Sequence, residues 1–447
     1  MSAVKNKKQF ICNSCGYEVA KWLGCCPQCG AWNTFEEGSA APYALIKNAV
    51  SSIVLRPLTT VVSTPAQRMI SGLNEWDRVA GGGIVPGSFV ILTGDPGIGK
   101  STLLLHIAQK LSVNQTVFYF SSEESLEQVK LRAERLGCLN EQLLFSDHAN
   151  IDDIIATVYE RKPDLIIIDS IQNCYSSNVD YSPGSIGHLK EAAFKLMRLA
   201  KEQNVAVLVT GHITKEGAMA GPKLLEHMVD AVFYLQGEDK WQIRVLRTTK
   251  NRFGGINEVG FFEMGEQGLQ ELANINQYLL EDWSPNPGSV LVSYIEGSRP
   301  LLLELQALTI ASQYGIPQRI ISGIDPKQVA LIAAILEKYL HVKLSASDIF
   351  FKISGELKIK GNAADLGIAL ALLSSFFQQP LPAKCMAIGE LSLTGHIKPV
   401  NYMGIHANEA EKFGIQTLVV AHNQKIEKTG CSVRRFTTVA ELIALFE

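Results

Sequence analysis

Residues 94–102 have the types and spacing of a loop that binds phosphate. They are Gly94, Asp95, Pro96, Gly97, Ile98, Gly99, Lys100, Ser101 and Thr102. A glycine, four free positions and then Gly-Lys-Ser lie between the apolar run 88–92 and a stretch with the pattern of an amphipathic helix. Glycines let successive backbone N–H groups turn towards an anion, and the start of the helix adds its positive dipole end. The alternative, a strand-to-helix turn without a nucleotide, is disfavoured by these flanks.

Three side chains would divide the chemistry of a bound nucleoside triphosphate between them. Lys100 would contact the β and γ phosphates, and the Ser101 hydroxyl would be a ligand of Mg²⁺. Asp169 follows the buried strand 165–168, and an acid in this position commonly organises Mg²⁺ through water. The pairing of this acid with the loop predicts a magnesium–nucleotide site.

Further candidates follow two other predicted strands. Glu123 and Glu124 come after the strand 116–120, where one of them could polarise the water that attacks the γ phosphate. The alternative is that both acids cap the helix 126–136. His212 ends the strand 205–210 and would either sense the γ phosphate or be hydrogen-bonded at the strand end.

Four cysteines near the start of the chain have the spacing of zinc ligands. They are Cys12, Cys15, Cys26 and Cys29, in two CxxC pairs. A module of about thirty residues has too little core to fold without such a metal, so we expect structural Zn²⁺ and no catalysis here. Cys25 is a fifth thiol that could compete for the metal. Trp22 and Trp32 could pack on this module or stack on the bases of a partner.

Composition and periodicity suggest an α/β protein with three domains. The 447 residues carry a formal charge of −3, which argues against a globally basic nucleic-acid binder but allows a local basic channel. The predicted boundaries are a zinc module at 1–35, a linker at 36–66, a nucleotide domain at 67–275, a linker at 276–287 and a C-terminal domain at 288–447. In the last domain we expect a helix at 363–376 and a final strand at 417–421. No apolar run is long enough to span a membrane, so we expect a cytoplasmic protein without membrane contact.

The chain resembles the bacterial RadA/Sms DNA-recombination family over nearly all its length. The resemblance rests on the four-cysteine module with its Lys21-Trp22-Leu23-Gly24 stretch, the phosphate loop, the sequence Lys250-Asn251-Arg252-Phe253-Gly254 and the C-terminal domain. It implies a RecA-like ATPase domain that uses ATP, followed by an α+β domain similar to the Lon protease. It also implies a hexameric ring that moves along single-stranded DNA and drives branch migration of recombination intermediates beside the RecA recombinase.

The same resemblance assigns roles to further residues. By spacing alone, Lys250 and Arg252 could meet an anion together or be a solvated surface pair. By the resemblance, they would act across a subunit boundary, on the neighbour's nucleotide, and the loops 175–188 and 213–223 would face DNA. Ala363 stands where a Lon protease has its serine nucleophile, and Gly404 stands in place of its lysine. This domain would therefore be a ring-forming scaffold without protease activity. The lysines 352, 358 and 360 are either contacts to DNA phosphates or solvated side chains.

Two other functions remain open at this stage. The chain could be a nucleotide-switched assembly that loads or regulates other proteins without moving along DNA. An ATP-dependent protease is the other alternative, and Ala363 disfavours it because alanine has no oxygen with which to attack a peptide.

Overall fold

The computed structural model describes residues 9–12, 18–19, 21–27, 30, 32–38, 57, 59, 67–176, 185–212, 225–237, 243–281, 283–312, 317–354 and 358–446. The chain divides into two compact units, Met1–Pro65 and Ala66–Glu447. The predictions for Cys15, Cys29, the loop 213–223 and most of the loop 175–188 lie outside the described residues. No helix within these ranges is long and apolar enough to cross a membrane.

The first unit contains a small antiparallel sheet. Its strands are β1 (Gln9–Cys12), β2 (Glu18–Val19) and β3 (Phe35–Gly38), in the order β2-β1-β3. Cys26 and Phe35 form its buried core, against which Phe10 and Val19 pack. Strand β3 extends three residues into the segment that the sequence predicts as a linker, because 35–38 pair with β1.

The second unit begins with a nine-stranded sheet in the order β12-β11-β10-β9-β4-β8-β7-β5-β6. The six strands from β9 to β6 are parallel, and β10, β11 and β12 extend the sheet antiparallel. The strands are β4 (Phe89–Gly94), β5 (Val117–Ser121), β6 (Leu143–Ser146), β7 (Leu165–Asp169), β8 (Ala206–His212), β9 (Ala231–Gly237), β10 (Ile243–Asn251), β11 (Val259–Gly265) and β12 (Gly268–Glu271). The helices are α1 (Asn74–Val79), α2 (Lys100–Leu111), α3 (Leu126–Arg135), α4 (Ile151–Arg161) and α5 (Ile186–Gln203), with a 3₁₀ turn at Ile171–Asn173.

Helices cover both faces of this sheet, which explains the apolar runs in its central strands. Every residue of β4 is buried. Val90 and Leu92 face the core that contains α2, whereas Phe89 and Ile91 face the core that contains α4 and α5. This alternation follows from the period of two in a strand. The carboxyl ends of the parallel strands therefore open into one crevice between helices.

The C-terminal part forms a second, mixed sheet in the order β15-β16-β14-β13-β17-β20-β21, with a separate β18–β19 pair. The strands are β13 (Ser289–Glu296), β14 (Arg299–Ala311), β15 (Arg319–Ile321), β16 (Ser347–Ile353), β17 (Cys385–Ile388), β18 (Glu390–Leu391), β19 (Ile397–Lys398), β20 (Thr417–Ala421) and β21 (Ser432–Phe436). The helices are α6 (Ile275–Leu279), α7 (Pro326–Leu340), α8 (Asp365–Phe377) and α9 (Met403–Lys412), with a 3₁₀ helix at Val439–Leu445.

Two predictions for this part differ from the structure. The final strand is β21 rather than 417–421, and its residues are half-buried or exposed because it is the edge of the sheet. An edge strand of this kind lacks the apolar pattern that marks a buried one. The predicted helix at 363–376 begins instead at Asp365.

The predicted linker 276–287 begins as part of the packed structure. Asn276 lies in α6 and is buried, and its amide donates to the Pro300 carbonyl at 3.0 Å and to Glu409 at 2.7 Å. The Asn276 oxygen accepts a bond from the Leu302 N–H at 2.8 Å. One hydrophobic core also joins Phe261 of β11 to Leu303 of β14. The two sheets of the second unit therefore pack through a shared core.

Candidate nucleotide site

Lys100 is the first residue of α2, directly after the loop that joins β4 to this helix. Its side chain is buried, and its ammonium donates to the backbone oxygens of Gly94 and Asp95, at 2.9 Å each. Burial lowers the pKa of Lys100, while the carboxylates of Asp169 and Glu123 act to raise it. Phosphate oxygens would offer this ammonium stronger, charge-assisted bonds than the two carbonyls do. Lys100 is thus placed to bind an anion at this loop.

The backbone of the loop has the shape that an anion requires. Gly97 is exposed at φ +74°, and a β carbon built there would meet nothing within 4 Å. Gly99 precedes α2 at φ +111°, also in the left-handed region. Ser101 and Thr102 are half-buried in the first turn of α2. The space above Gly97 is a cradle that a side chain would fill and a phosphate can occupy.

Asp169 lies at the carboxyl end of β7, next to β5 and β8. Its Oδ1 accepts a bond from the Thr210 hydroxyl at 2.6 Å, and its Oδ2 accepts one from the Tyr119 hydroxyl at 2.9 Å. Burial raises the pKa of Tyr119, and the negative charge of Asp169 raises it further. Two hydroxyl donors hold the Asp169 carboxylate in one orientation, which fits a carboxylate that binds Mg²⁺ through water.

The structure separates the two adjacent glutamates. The Ser170 hydroxyl donates to Glu123, so Glu123 lies beside Asp169 and in the field that acts on Lys100. Glu124 instead accepts a bond from Arg132 of α3 at 2.5 Å. Glu123 therefore belongs to the crevice, and Glu124 belongs to the helix beside it.

His212 ends β8 and is the register partner of Gly94 in β4. The backbone thus places His212 next to the start of the phosphate loop, as the sequence predicts. Its role as a γ-phosphate sensor stays a prediction.

Lys250 and Arg252 lie at the end of the sheet where the parallel strands begin, and the phosphate loop lies at the end where they stop. The Arg252 guanidinium donates to Asp230 at 3.1 Å, and the Lys250 ammonium donates to the backbone oxygen of Glu226. The Arg252 N–H bonds to the Asp230 carbonyl, and the Asp230 N–H bonds to the Phe89 carbonyl. Arg252 is therefore level with Phe89, the first residue of β4.

The phosphate loop begins at Gly94, the last residue of the same strand. Five residue steps at about 3.3 Å each place Arg252 about 17 Å along the sheet from the loop of its own chain. Such a gap is longer than an arginine side chain. The nucleotide pocket and the basic pair therefore lie apart within one protomer.

The zinc ligands are described only in part. Cys12 ends β1 opposite Phe35 of β3, and Phe35 packs with the buried Cys26, so the backbone brings Cys12 and Cys26 towards each other. The Gly30 N–H donates to the Cys26 carbonyl at 2.8 Å and closes a tight turn. The buried Cys26 fits the donor set of a zinc ribbon, and the four-thiolate site stays a prediction. Among the described residues, no larger group of metal-binding side chains is present.

The C-terminal candidates lack catalytic groups at the predicted positions. Ala363 precedes α8, and its carbonyl accepts a bond from the Gly389 N–H at 3.0 Å. Gly404 lies in α9, with open space where a side chain would begin. The three lysines 352, 358 and 360 are exposed. Their contact with DNA stays a prediction.

Several residues that organise these two sites carry little or no signal in the sequence. Tyr119 and Thr210 orient Asp169, Ser170 orients Glu123, and Asp230 holds Arg252. Thr210 could have been found from its place near the end of a buried strand, since neighbouring parallel strands end together. Asp230 gives no such signal, because its partners come from distant parts of the chain.

Models of known families match three parts of the chain. One described as an AAA domain matches residues 59–218, one described as subunit ChlI of Mg-chelatase matches 327–424, and one described as a rubredoxin metal binding domain matches 10–37. A solved DnaB-like replicative helicase covers 46% of this chain and 62% of its own, at a TM-score of 0.41 and 18% identity, too low for a further conclusion. The three matches confirm the zinc-ribbon, RecA-like ATPase and Lon-like organisation.

Full-length relatives are similar over almost the entire chain. The DNA repair protein RadA of Bacillus subtilis (strain 168) is 42% identical over 425 residues, which cover 93% of each chain. The protein of the same name from Aquifex aeolicus (strain VF5) is 38% identical, over 98% of this chain and 99% of its own. The chain therefore contains an ATPase domain, and it belongs to the RadA family, whose curated members are named DNA repair proteins.

Proposed function

We propose that this chain is a DNA-dependent ATPase motor of homologous recombination and DNA repair. As a homo-hexamer it binds single-stranded DNA and uses ATP hydrolysis to drive branch migration of recombination intermediates, beside the RecA recombinase. The separation of the phosphate loop from Lys250 and Arg252 carries this proposal. Because the basic pair cannot reach the nucleotide of its own chain, we assign it to the pocket of a neighbouring subunit in a ring.

Each candidate residue has a distinct task in ATP hydrolysis. Lys100 and the loop N–H groups bind the β and γ phosphates, and Glu123 accepts a proton from the attacking water. Ser101 and Asp169 would hold Mg²⁺, which when bound supplies positive charge to the phosphates. Arg252 of the neighbouring protomer stabilises the charge that develops on the γ phosphate in the transition state. Hydrolysis therefore depends on contact between subunits.

ATP turnover with and without single-stranded DNA tests this proposal. Lys100→Ala should lose nucleotide binding. Arg252→Ala should keep it but lose turnover about 10³-fold, as expected for an arginine supplied in trans. Arg198→Ala is a matched control, because Arg198 is an exposed arginine paired with Glu202 on α5.

The outcomes separate the candidate functions. Acceleration by DNA together with ATP-dependent branch migration supports the motor. Binding of DNA and ring formation without movement would favour a nucleotide-switched loading factor instead. If single-stranded DNA neither bound nor changed turnover, the proposal would be wrong.

The zinc module and the C-terminal domain have supporting roles in this proposal. Zn²⁺ on Cys12, Cys15, Cys26 and Cys29 stabilises the module, so Cys12→Ser should release the metal. Retention of one equivalent of zinc would contradict the four-thiolate assignment. The Lon-like domain acts as a scaffold without peptidase activity, because Ala363 supplies no nucleophile. Cleavage of a peptide that stops after substitutions beside 363 would contradict this role.

A further inference from the structure

Asp230 is a buried carboxylate that binds two cations. Its Oδ2 accepts bonds from the Lys201 ammonium at 2.7 Å and from the Phe89 N–H at 3.0 Å. Its Oδ1 accepts a bond from Arg252 at 3.1 Å. The side chain of Asp230 is only 5% exposed, whereas those of Lys201 and Arg252 are 53% and 58% exposed. One fixed anion thus holds two cations at the surface.

The backbone of Asp230 is held as firmly as its side chain. Its N–H and carbonyl bond to Phe89 and Arg252, at the start of β4 and the end of β10. Lys201 comes from the last turn of α5. Three elements therefore meet at Asp230, and a shift of any one of them would move the guanidinium.

The charges at this point favour an incoming anion. Burial acts to raise the pKa of Asp230, but the bonds from Lys201 and the Phe89 N–H outweigh it and lower the pKa. Burial and the charge of Arg252 lower the pKa of Lys250, whereas the carboxylates of Asp230 and Glu226 act to raise it. Two carboxylates, those of Asp230 and Glu226, act on the three basic side chains of Lys201, Lys250 and Arg252. They offset part of the repulsion between the cations and leave an excess of one positive charge for a phosphate.

We infer that Asp230 is a positioning residue of the trans-acting site, and that Lys201 is a third cation which contacts the neighbour's triphosphate together with Lys250 and Arg252. The inference rests on the proposed function, because it assumes that the basic pair acts on a neighbour. Asp230 holds Arg252 and Lys201 side by side before the subunits meet. Both side chains therefore lose little conformational entropy when they bind the neighbour's triphosphate.

Mixed assemblies of full-length variants test the role of Asp230. Asp230→Asn alone should keep nucleotide affinity and KM but lower kcat about 10-fold to 100-fold, as when a partner that orients a functional group is lost. Lys100→Ala has a defective pocket and an intact basic cluster. When the two variants are mixed, turnover should exceed the sum of their separate rates, because the Lys100→Ala subunits complete the Asp230→Asn pockets.

A purely structural role for Asp230 would give a different result. If Asp230→Asn instead disturbs the fold of its whole chain, the nucleotide pocket of that chain is also defective. Mixing it with Lys100→Ala would then restore no turnover. Restoration by Lys100→Ala mixed with Arg252→Ala is the control for trans action. If this control fails, the proposed function is wrong. If it succeeds while Asp230→Asn keeps full turnover or is not restored, the role of Asp230 is wrong.

Variants of Lys201 provide a second test, which does not require Asp230→Asn to fold. Lys201→Ala should lower kcat about 10-fold, and Lys201→Arg should recover much of this loss because the charge returns. Arg198→Ala, one turn earlier on α5, should have no such effect. Full turnover in Lys201→Ala would overturn the assignment of the third cation.

Discussion

Glu123 and Glu124 are adjacent in the sequence, but their carboxylates have different partners. Glu123 accepts a bond from Ser170 and lies in the crevice with Asp169, whereas Glu124 is bound to Arg132 on α3. The charge-assisted bond to Arg132 directs the Glu124 carboxylate towards the helix. The residue pattern leaves both acids open as candidates, and the contacts favour Glu123.

We expect Glu123→Gln to lower kcat about 10²-fold to 10⁴-fold, because a glutamine cannot accept the proton of the attacking water. Nucleotide affinity should remain, since Lys100 and the loop are unchanged. Glu124→Gln is the matched control and should keep turnover within about threefold. Single-turnover ATP hydrolysis and nucleotide binding measure the two effects. Equal losses in both variants would contradict the assignment.

His406 predicts a pH dependence of stability. It is buried in α9, its Nδ1 lies 2.8 Å from the Ser293 hydroxyl, and burial lowers its pKa to about 4. The unfolded chain binds this proton below about pH 6.5, so stability is complete above that pH and falls towards pH 4. Urea unfolding at pH 7.5 and pH 5 should show a loss of about 2 kcal/mol from this residue.

His406→Gln removes that ionisation, so its unfolding free energy should fall less between the two pH values than that of the wild type. His148→Gln is the control, because His148 is 58% exposed beside Asp153. Parallel pH curves for wild type and His406→Gln would show that His406 is not held neutral by the fold.

Gly94, the last residue of β4, and Gly97, in the loop before α2, have different surroundings. A β carbon at Gly94, where φ is +154°, would lie 2.1 Å from the Leu235 carbonyl, so this glycine permits the contact between β4 and β9. Gly97 has open space above it, which the phosphate needs. The close contact accounts for a glycine at position 94, and the binding of a phosphate over Gly97 stays a prediction.

We expect Gly94→Ala to destabilise the protein by more than about 2 kcal/mol, because β9 must move. Gly97→Ala should cost about 1 kcal/mol for its left-handed backbone but lose most nucleotide binding, since the methyl group occupies the cradle. Gly137→Ala is a matched control at φ +65°, also with open space, and should keep nucleotide binding. Chemical denaturation and nucleotide titration distinguish the three. Unchanged binding in Gly97→Ala would contradict this account.

Elements with strong local signals could be predicted from the sequence, and contacts between distant elements could not. The apolar run of β4, the glycine spacing and the acid after β7 each mark their place, so Lys100 and Asp169 could be found in advance. The edge strand β21 is half-polar and carries no comparable pattern. Lys201 lies in α5, Asp230 directly precedes β9 and Arg252 directly follows β10, so only the folded sheet brings these three residues together.

At the scale of the molecule, the ATPase sheet and the C-terminal sheet are joined by partly buried ion pairs. Arg247 of β10 pairs with Glu296 of β13, and β10 continues from there to Lys250. Arg299 of β14 lies over the ring of Phe261, with 5.1 Å between its guanidinium carbon and the ring centroid. These contacts connect the C-terminal sheet to the strand that leads to the basic pair.

Replacing Arg299 tests how much the contact between the two sheets contributes to the stability of the protein. Its guanidinium donates to Glu75 at 2.8 Å, and the two side chains are 15% and 4% exposed. Arg299→Ala leaves Glu75 buried with one fewer cation and removes the contact with Phe261, so we expect a loss of about 3 kcal/mol. Arg319→Ala, at an exposed position of β15, should change stability by less than about 0.5 kcal/mol. Denaturation at fixed protein concentration measures both, and equal midpoints for wild type and Arg299→Ala would show that the sheets are held together by other contacts.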